Sequence, residues 1–334
     1  MKLLILGGTR FLGRHVAELA LARGHQLTLL HRGQSGPDLF PQAEHRRADR
    51  DGDLQALARG EWDAAIDTSA YLPRQVRAMA DCLGGRVGHY QLVSTISVYA
   101  EFAASGTTED AALQTLADPT AQTVNGETYG GLKALCEAEA RSGFAGRCLI
   151  NRPGLLVGPH DPTGRFTWWV RRVAAGGDVL APGDPQGPVQ FIDARDAAAW
   201  MLRQSEQGTR GVFNLTGPAR PLQWGALLET AVDTLNPHAR LQWVDEAFVL
   251  GQGVAPWSDL PVWLPRESEG LHRVAIASAL ATGLTCRPLA ETLADTAAWD
   301  RTRPQAPESG PPRPTVGLTA VRETALLAAW RTRA

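Results

Sequence analysis

The chain has 334 residues, 44% of them hydrophobic and 20% charged, with a formal net charge of −2. That length can bury a large core in one big or two closely joined α/β units, and so small a charge supplies no overall field for nucleic acid or an anionic membrane. Four scattered cysteines with no Cys-x-x-Cys pair, and no apolar run near the roughly 18 residues of a spanning helix, argue against a disulfide or zinc framework and against a membrane span.

The apolar start Lys2–Leu6 is too short for a signal-peptide core and glycines follow at once, so a cytoplasmic protein is expected. Leu3–Leu6 predicts a first strand, followed by the turn Gly7-Gly8-Thr9-Arg10-Phe11-Leu12-Gly13 and a helix over Phe11–Arg23. Further strands are predicted at Gln26–Leu30, His45–Ala48, Ala64–Asp67, Tyr90–Ser94 and Cys148–Asn151, with helices at Asp53–Ala58, Arg74–Leu83 and Tyr129–Ala140 between them. Short apolar runs alternating with helical patterns predict a parallel sheet covered by helices. The expected fold class is therefore α/β: a Rossmann-type doubly wound parallel sheet with a smaller C-terminal substrate lobe.

Residues 1–152 would form the dinucleotide-binding domain and 153–300 a substrate-binding lobe whose chain returns to the main sheet. Nine of the ten tryptophans follow Pro153, which marks the change of composition. Residues 301–334 read as a Pro-rich linker or surface strap over Arg301–Thr315, then an amphipathic helix over Val316–Arg333 with Leu318, Val321, Leu326, Leu327 and Trp330 on its apolar side.

Strand, glycine-rich turn and helix N-terminus make a phosphate cradle, because glycine permits close backbone approach and the helix dipole attracts the pyrophosphate. The strict fingerprint asks for glycine at position 10, where Arg10 stands. The second strand ends Leu30-His31-Arg32-Gly33, without the carboxylate that would bind the ribose 2′-hydroxyl of NAD. Arg10 and Arg32 instead suit a 2′-phosphate, so NADP is expected, with NAD as the alternative. The full set expected to face the cofactor is Gly7, Thr9, Arg10, Phe11, Leu12, Gly13, Arg32, Asp49, Arg50, Thr68, Ser94, Tyr129, Lys133 and Pro153, with Asp49 placed to accept from the adenine amino group.

Of 33 basic side chains only Lys2 and Lys133 are lysines, and Lys133 follows Tyr129 by four positions in Tyr129-Gly130-Gly131-Leu132-Lys133. An ammonium is a compact point charge where guanidinium is a broad fork, and residues four apart share one helix face. The expectation is that Lys133 lowers the Tyr129 pKa and makes the phenol an acid/base group near neutral pH.

Val93-Ser94-Thr95-Ile96-Ser97-Val98-Tyr99 ends the fifth strand, with Thr95 four residues before Tyr99. Together with Tyr129-x-x-x-Lys133, this resembles the extended branch of the short-chain dehydrogenase/reductase superfamily, the NAD-dependent epimerase/dehydratase group. The similarity continues through Arg152-Pro153, Gly158-Pro159, Phe191-Ile192-Asp193 before a helix at Ala194–Arg203, and Arg287-Pro288-Leu289-Ala290-Glu291-Thr292. It implies catalytic roles for Thr95 (orienting the substrate oxygen), Tyr129 (exchanging the proton) and Lys133 (lowering the tyrosine pKa and holding the nicotinamide ribose). Gly7-Gly8-Thr9-Arg10-Phe11 looks like the form of an atypical subgroup that includes relatives of chloroplast stem-loop RNA-binding proteins.

Two departures narrow the implied chemistry. Ile96 and Ser97 replace the Asp-Glu pair of sugar-nucleotide dehydratases, and Val189-Gln190 stand where many relatives carry a diphosphate-gripping arginine. The expected activity is NAD(P)-dependent hydride transfer at a carbinol or carbonyl carbon of a small molecule or sugar. The alternatives are a sugar-nucleotide epimerase with tightly bound NAD, and a non-catalytic NADP-sensing or RNA-binding protein. Missing aromatic-basic stripes argue against nucleic acid, and a homodimer is one assembly to expect.

The loop Pro159–Phe166 offers His160 and Arg165 as substrate contacts, with Tyr71 a third. Trp168, Trp169, Trp257 and Trp263 could line a pocket, although core packing is the default for tryptophan. The histidines show no metal-ligand spacing, so no metal is expected. Arg46, Arg47 and Arg50 make a small basic cluster, read as solvated surface or adenine-side binding.

Overall fold

A computed structural model describes residues 1–303 and 316–333. In chain order its elements are β1 (Lys2–Leu6), α1 (Phe11–Ala22), β2 (Gln26–His31), β3 (Glu44–Arg47), β4 (Trp62–Asp67), α2 (Pro73–Leu83), β5 (Val87–Val93), α3 (Tyr129–Gly143) and β6 (Cys148–Pro153). They continue with β7 (Leu156–Val157), α4 (Arg165–Ala174), β8 (Asp178–Pro182), β9 (Pro188–Val189), β10 (Ile192–Asp193), α5 (Ala194–Gln207), β11 (Gly211–Leu215), β12 (Leu222–Gln223), α6 (Trp224–Leu235), β13 (Arg240–Val244), α7 (Glu246–Gly251), α8 (Ala277–Ala281), α9 (Leu289–Arg301) and α10 (Ala320–Arg331).

Seven strands form one parallel sheet in the order β11-β6-β5-β4-β1-β2-β3, a doubly wound Rossmann-type architecture. The run Leu3-Leu4-Ile5-Leu6 is buried on both faces, as a covered parallel strand requires. Leu3 and Ile5 pack with Leu12, Val16 and Ala20 of α1 and with Ala197 and Met201 of α5. Leu4 and Leu6 pack on the other face with Val76 and Met79 of α2 and Cys136 and Ala140 of α3. The two-residue period of the strand thus assigns each layer. Reversal of strand order between β1 and β4 opens a crevice at their C-terminal ends.

The residues after β6 build a second core around Phe166, Trp169, Leu228, Val179 and Leu327. Trp169 meets Trp168 and Trp224 edge-to-face, with ring centroids 4.7 and 5.0 Å apart. The chain returns to the main sheet through β11, paired with β6. Among the described residues no helix is long and apolar enough to cross a membrane.

Two expected elements differ. Asp53–Ala58 is only a single 3₁₀ turn at Gln55–Leu57, because Gly60, in the left-handed region at φ 113°, ends a segment too short to sustain a nucleated helix. The C-terminal helix begins at Ala320, where the Thr319 side chain accepts from the Arg322 N–H. That start buries Leu326 and Leu327 but leaves Val321 82% exposed, so Val321 is not on the apolar face. Most of the expected strap, residues 304–315, lies outside the described residues.

His272 joins the loop before β10 to the segment that carries Trp263. Its Nδ1 accepts from the Gln190 N–H, its Nε2 donates to the Val262 carbonyl, and burial pushes its pKa down to about 4. Since the folded value lies below the 6.5 of an ordinary histidine, the unfolded chain takes up this proton first. The contribution is complete above pH 6.5 and is lost as pH falls toward 4, on the order of 3 kcal/mol in all. His272→Gln should lower stability at pH 7 and flatten the fall in urea-unfolding free energy between pH 7 and 5.

Candidate active site

The turn after β1 is closed by backbone contacts that only glycine allows. Gly7 sits at φ 92°, and a Cβ there would meet Thr68 Oγ1 at 2.7 Å. A Cβ on Gly13 would strike the Gly7 carbonyl. Arg10, in place of the fingerprint glycine, adopts an extended conformation (φ −139°, ψ 135°) open to any residue. The left-handed position has moved to Phe11, at φ 42°. No side chain caps α1, so its first-turn N–H groups remain available to an anion.

This turn opens into a cleft of about 720 Å³. Every residue expected to face the cofactor lines it, as do Thr95, Tyr71 and Arg165. The exposed side chains of Arg10 and Arg32 make no hydrogen bond or ion pair among the described residues. Two other expected ligands are already engaged. Arg50 holds the buried Asp67 through two bonds of 2.8 and 2.7 Å, and Tyr90 Oη donates to the same carboxylate at 2.8 Å. Ser94 Oγ donates to Glu137 Oε1 at 2.7 Å, and Glu137 is clamped by Arg152 at 2.9 and 2.7 Å. Arg46 turns to the Ala56 and Arg59 carbonyls, so the anticipated basic cluster is dispersed.

Gly130 lets α3 press against the turn at Ile96–Val98, since a Cβ there would strike the Ser97 carbonyl. That approach brings Tyr129, the first residue of α3, to Thr95. Thr95 Oγ1 accepts the Ser97 N–H at 3.1 Å and caps the same turn, leaving its own proton for the Tyr129 phenol. Lys133, one turn along, is 3% exposed and donates to the carbonyls of Ala70 at 2.7 Å and Val93 at 2.6 Å.

The expected acidification of the phenol is not what this geometry produces. Burial pushes the Tyr129 pKa up, the nearby Tyr71 and Cys136 add to the rise, and a hydrogen bond from Thr95 offsets part of it. Burial pushes the Lys133 pKa down, while its two carbonyl partners favour the ammonium. Tyr71 lies beside both, its ring tilted 41° to that of Tyr129 at 6.4 Å and its centroid 5.7 Å from the ammonium.

The expected substrate contacts separate. His160, at φ 68°, turns away from the cleft and packs 5.6 Å from His15 and 5.4 Å from Trp299. Arg165 faces the cleft, and of the four tryptophans proposed for a pocket only Trp257 lines it. Sequence reading also missed a histidine pair. The Gly33 N–H donates to His31 Nδ1 at 3.0 Å, which leaves His31 Nε2 to donate to His45 Nδ1 at 2.8 Å and His45 Nε2 to the Phe40 carbonyl at 3.1 Å. Burial, His45 and Arg47 push the His31 pKa down. The ring at the end of β2 is therefore a neutral support for the Arg32-Gly33 turn. Its visible signal was a histidine where an acidic residue was sought.

Sheet order, glycine turn and cleft define a Rossmann-type doubly wound fold. Residues 74–216 match the model of the NAD dependent epimerase/dehydratase family. A curated relative, the chloroplast stem-loop binding protein of 41 kDa b of Arabidopsis thaliana, is 25% identical over 235 residues, 65% of this chain. The match spans 58% of that relative's length. Among solved structures, the UDP-glucuronic acid 4-epimerase of Bacillus cereus in complex with NAD is similar with a TM-score of 0.66 at 15% identity, covering 90% of this chain and 96% of that one. The UDP-glucose 4-epimerase of Thermotoga maritima with UDP-glucose is similar at 0.66 and 16%, covering 90% and 99%.

Gly13→Ala should weaken dinucleotide binding about tenfold or more, since its methyl group displaces the Gly7 carbonyl from the cradle. Fluorescence titration with NADH and with NADPH measures the affinity, and an unchanged circular dichroism spectrum would show the sheet intact.

Proposed function

We propose that the protein is an NADP-dependent reductase of the extended short-chain type, acting on a carbonyl group held against Thr95 and Tyr129. The observation that carries this reading is the half-buried Tyr129 phenol beside the Thr95 hydroxyl, in the same cleft as the glycine cradle. The phenol, its pKa raised by burial, is protonated at neutral pH and can donate to a carbonyl oxygen. Thr95, its oxygen accepting the Ser97 N–H, donates to the phenol in the free protein and would turn that proton to the substrate oxygen on binding. The nicotinamide, when bound, supplies the hydride to the carbonyl carbon.

The cradle fits a pyrophosphate because a Cβ at Gly7 or Gly13 would fill it and the α1 N–H groups are uncapped. Arg10 and Arg32 at the rim, beside a neutral His31 in place of a carboxylate, support NADP over NAD. NAD is the alternative, favoured by the solved neighbours that carry it, and with it a second reading as an epimerase. Ile96 and Ser97 leave no carboxylates directly after Thr95 for elimination of water.

Tyr129→Phe should lower turnover about 100-fold or more while leaving NADPH affinity unchanged. Stopped-flow oxidation of NADPH with an aldehyde panel is the assay, and full activity in the variant would remove the phenol from the reaction. Arg32→Ala should weaken NADPH binding about tenfold and leave NADH binding untouched, as loss of a charge-assisted contact to phosphate requires. Equal weakening of both would place Arg32 elsewhere than at the 2′ position.

A further inference from the structure

The loop Pro159–Phe166 is built to present one guanidinium. Asp161 is fully buried, and its carboxylate accepts the Thr163 N–H at 2.7 Å and the Thr163 hydroxyl at 3.0 Å. Thr163 Oγ1 in turn accepts the Arg165 N–H at 3.4 Å, and Gly164 at φ 71° turns the chain into α4. His15 bonds the Pro159 carbonyl at 2.9 Å, which ties the other end of the loop to α1. Pro162, Thr163 and Arg165 consequently face the cleft while Asp161 works from inside.

Arg165 lies over the Trp257 ring with its Cζ 5.6 Å from the centroid. Trp257 is held in the left-handed region at φ 64°, its N–H bonded to the Trp263 carbonyl and its ring 6.4 Å from that of His272. Its neighbours on α4 behave differently: Arg171 pairs with Asp300 and Arg172 with Glu323. Among the described residues the Arg165 guanidinium has no hydrogen bond or ion pair, and in the cleft it shares the walls with Leu155, Leu156, Leu271 and Tyr71. A guanidinium over an indole face, with no hydrogen-bond partner, has its N–H groups available for a planar or tetrahedral oxyanion.

We propose that the substrate carries a single carboxylate or phosphate group, and that Arg165, backed by Trp257, binds it. This rests on reading the same cleft as a reductase site and adds the class of molecule reduced: a carbonyl compound bearing one oxyanion beside an apolar body. Arg165 binds through charge-assisted bonds, and the apolar walls take the body of the molecule.

The test uses full-length protein labelled with 5-fluorotryptophan, with the Trp257 resonance assigned from Trp257→Phe. Benzoate and phenyl phosphate are titrated as probes, with benzyl alcohol as the uncharged control, and NADPH affinity is measured in parallel. The expected result is a saturable shift of the Trp257 resonance with at least one anion and none with the alcohol. Arg165→Gln should weaken that binding about tenfold or more, Arg165→Lys should retain part of it, and both should bind NADPH like the parent. The anion that binds more tightly identifies carboxylate or phosphate as the source. A shift that persists unchanged in Arg165→Gln, or no shift with either anion, overturns the inference even if NADPH binds normally. Absence of NADPH binding with an intact anion response would instead overturn the reductase reading alone.

Discussion

A buried ammonium organises this molecule. The strands β4 and β5 pair as far as Asp67 and Leu92, after which their chains diverge at the crevice. The Ala70 and Val93 carbonyls beyond that point need donors, and Lys133 supplies both from α3. A compact ammonium fits between two carbonyls where a guanidinium fork is too broad, which gives a physical reason for one internal lysine in an arginine-rich chain. Fixing Lys133 fixes the N-terminal turn of α3, and with it the position of Tyr129 against Thr95.

Around that clamp the charges are sorted between structure and cleft. Arg50 with Asp67 and Arg152 with Glu137 are buried pairs, completed by Tyr90, Ser94 and Tyr99. Removing one member of such a pair leaves the other charge stranded, so these groups are committed to the fold. Arg10, Arg32 and Arg165 line the same cleft with guanidiniums not taken up by carboxylates among the described residues. That division separates groups that hold the walls from groups that can hold a ligand.

Much of the fold was legible because its signals are local. Apolar runs at Leu3–Leu6 and Tyr90–Val93, the glycine turn and the Tyr129/Lys133 spacing all depend on neighbours a few residues away, and the structure places them together in one cleft. What escaped depends on distant partners. The Lys133 ammonium was assigned to the phenol because spacing shows proximity along a helix but not the carbonyls of Ala70 and Val93. His160 looked like a cleft residue until His15 and Trp299, from α1 and α9, drew its ring aside. The His31–His45 pair joins two strands whose register no local pattern reveals.

The claim that most needs measurement is that Lys133 clamps the strand ends and does not acidify Tyr129 in the free protein. Tyrosine labelled with ¹³C at Cζ reports the phenol directly in a pH titration, with Tyr129 assigned from Tyr129→Phe. Tyr129 should titrate above the ordinary tyrosine value of 10.0, rise further in Thr95→Val and move little in Lys133→Met. A phenolate already present near neutral pH, and lost in Lys133→Met, would contradict it.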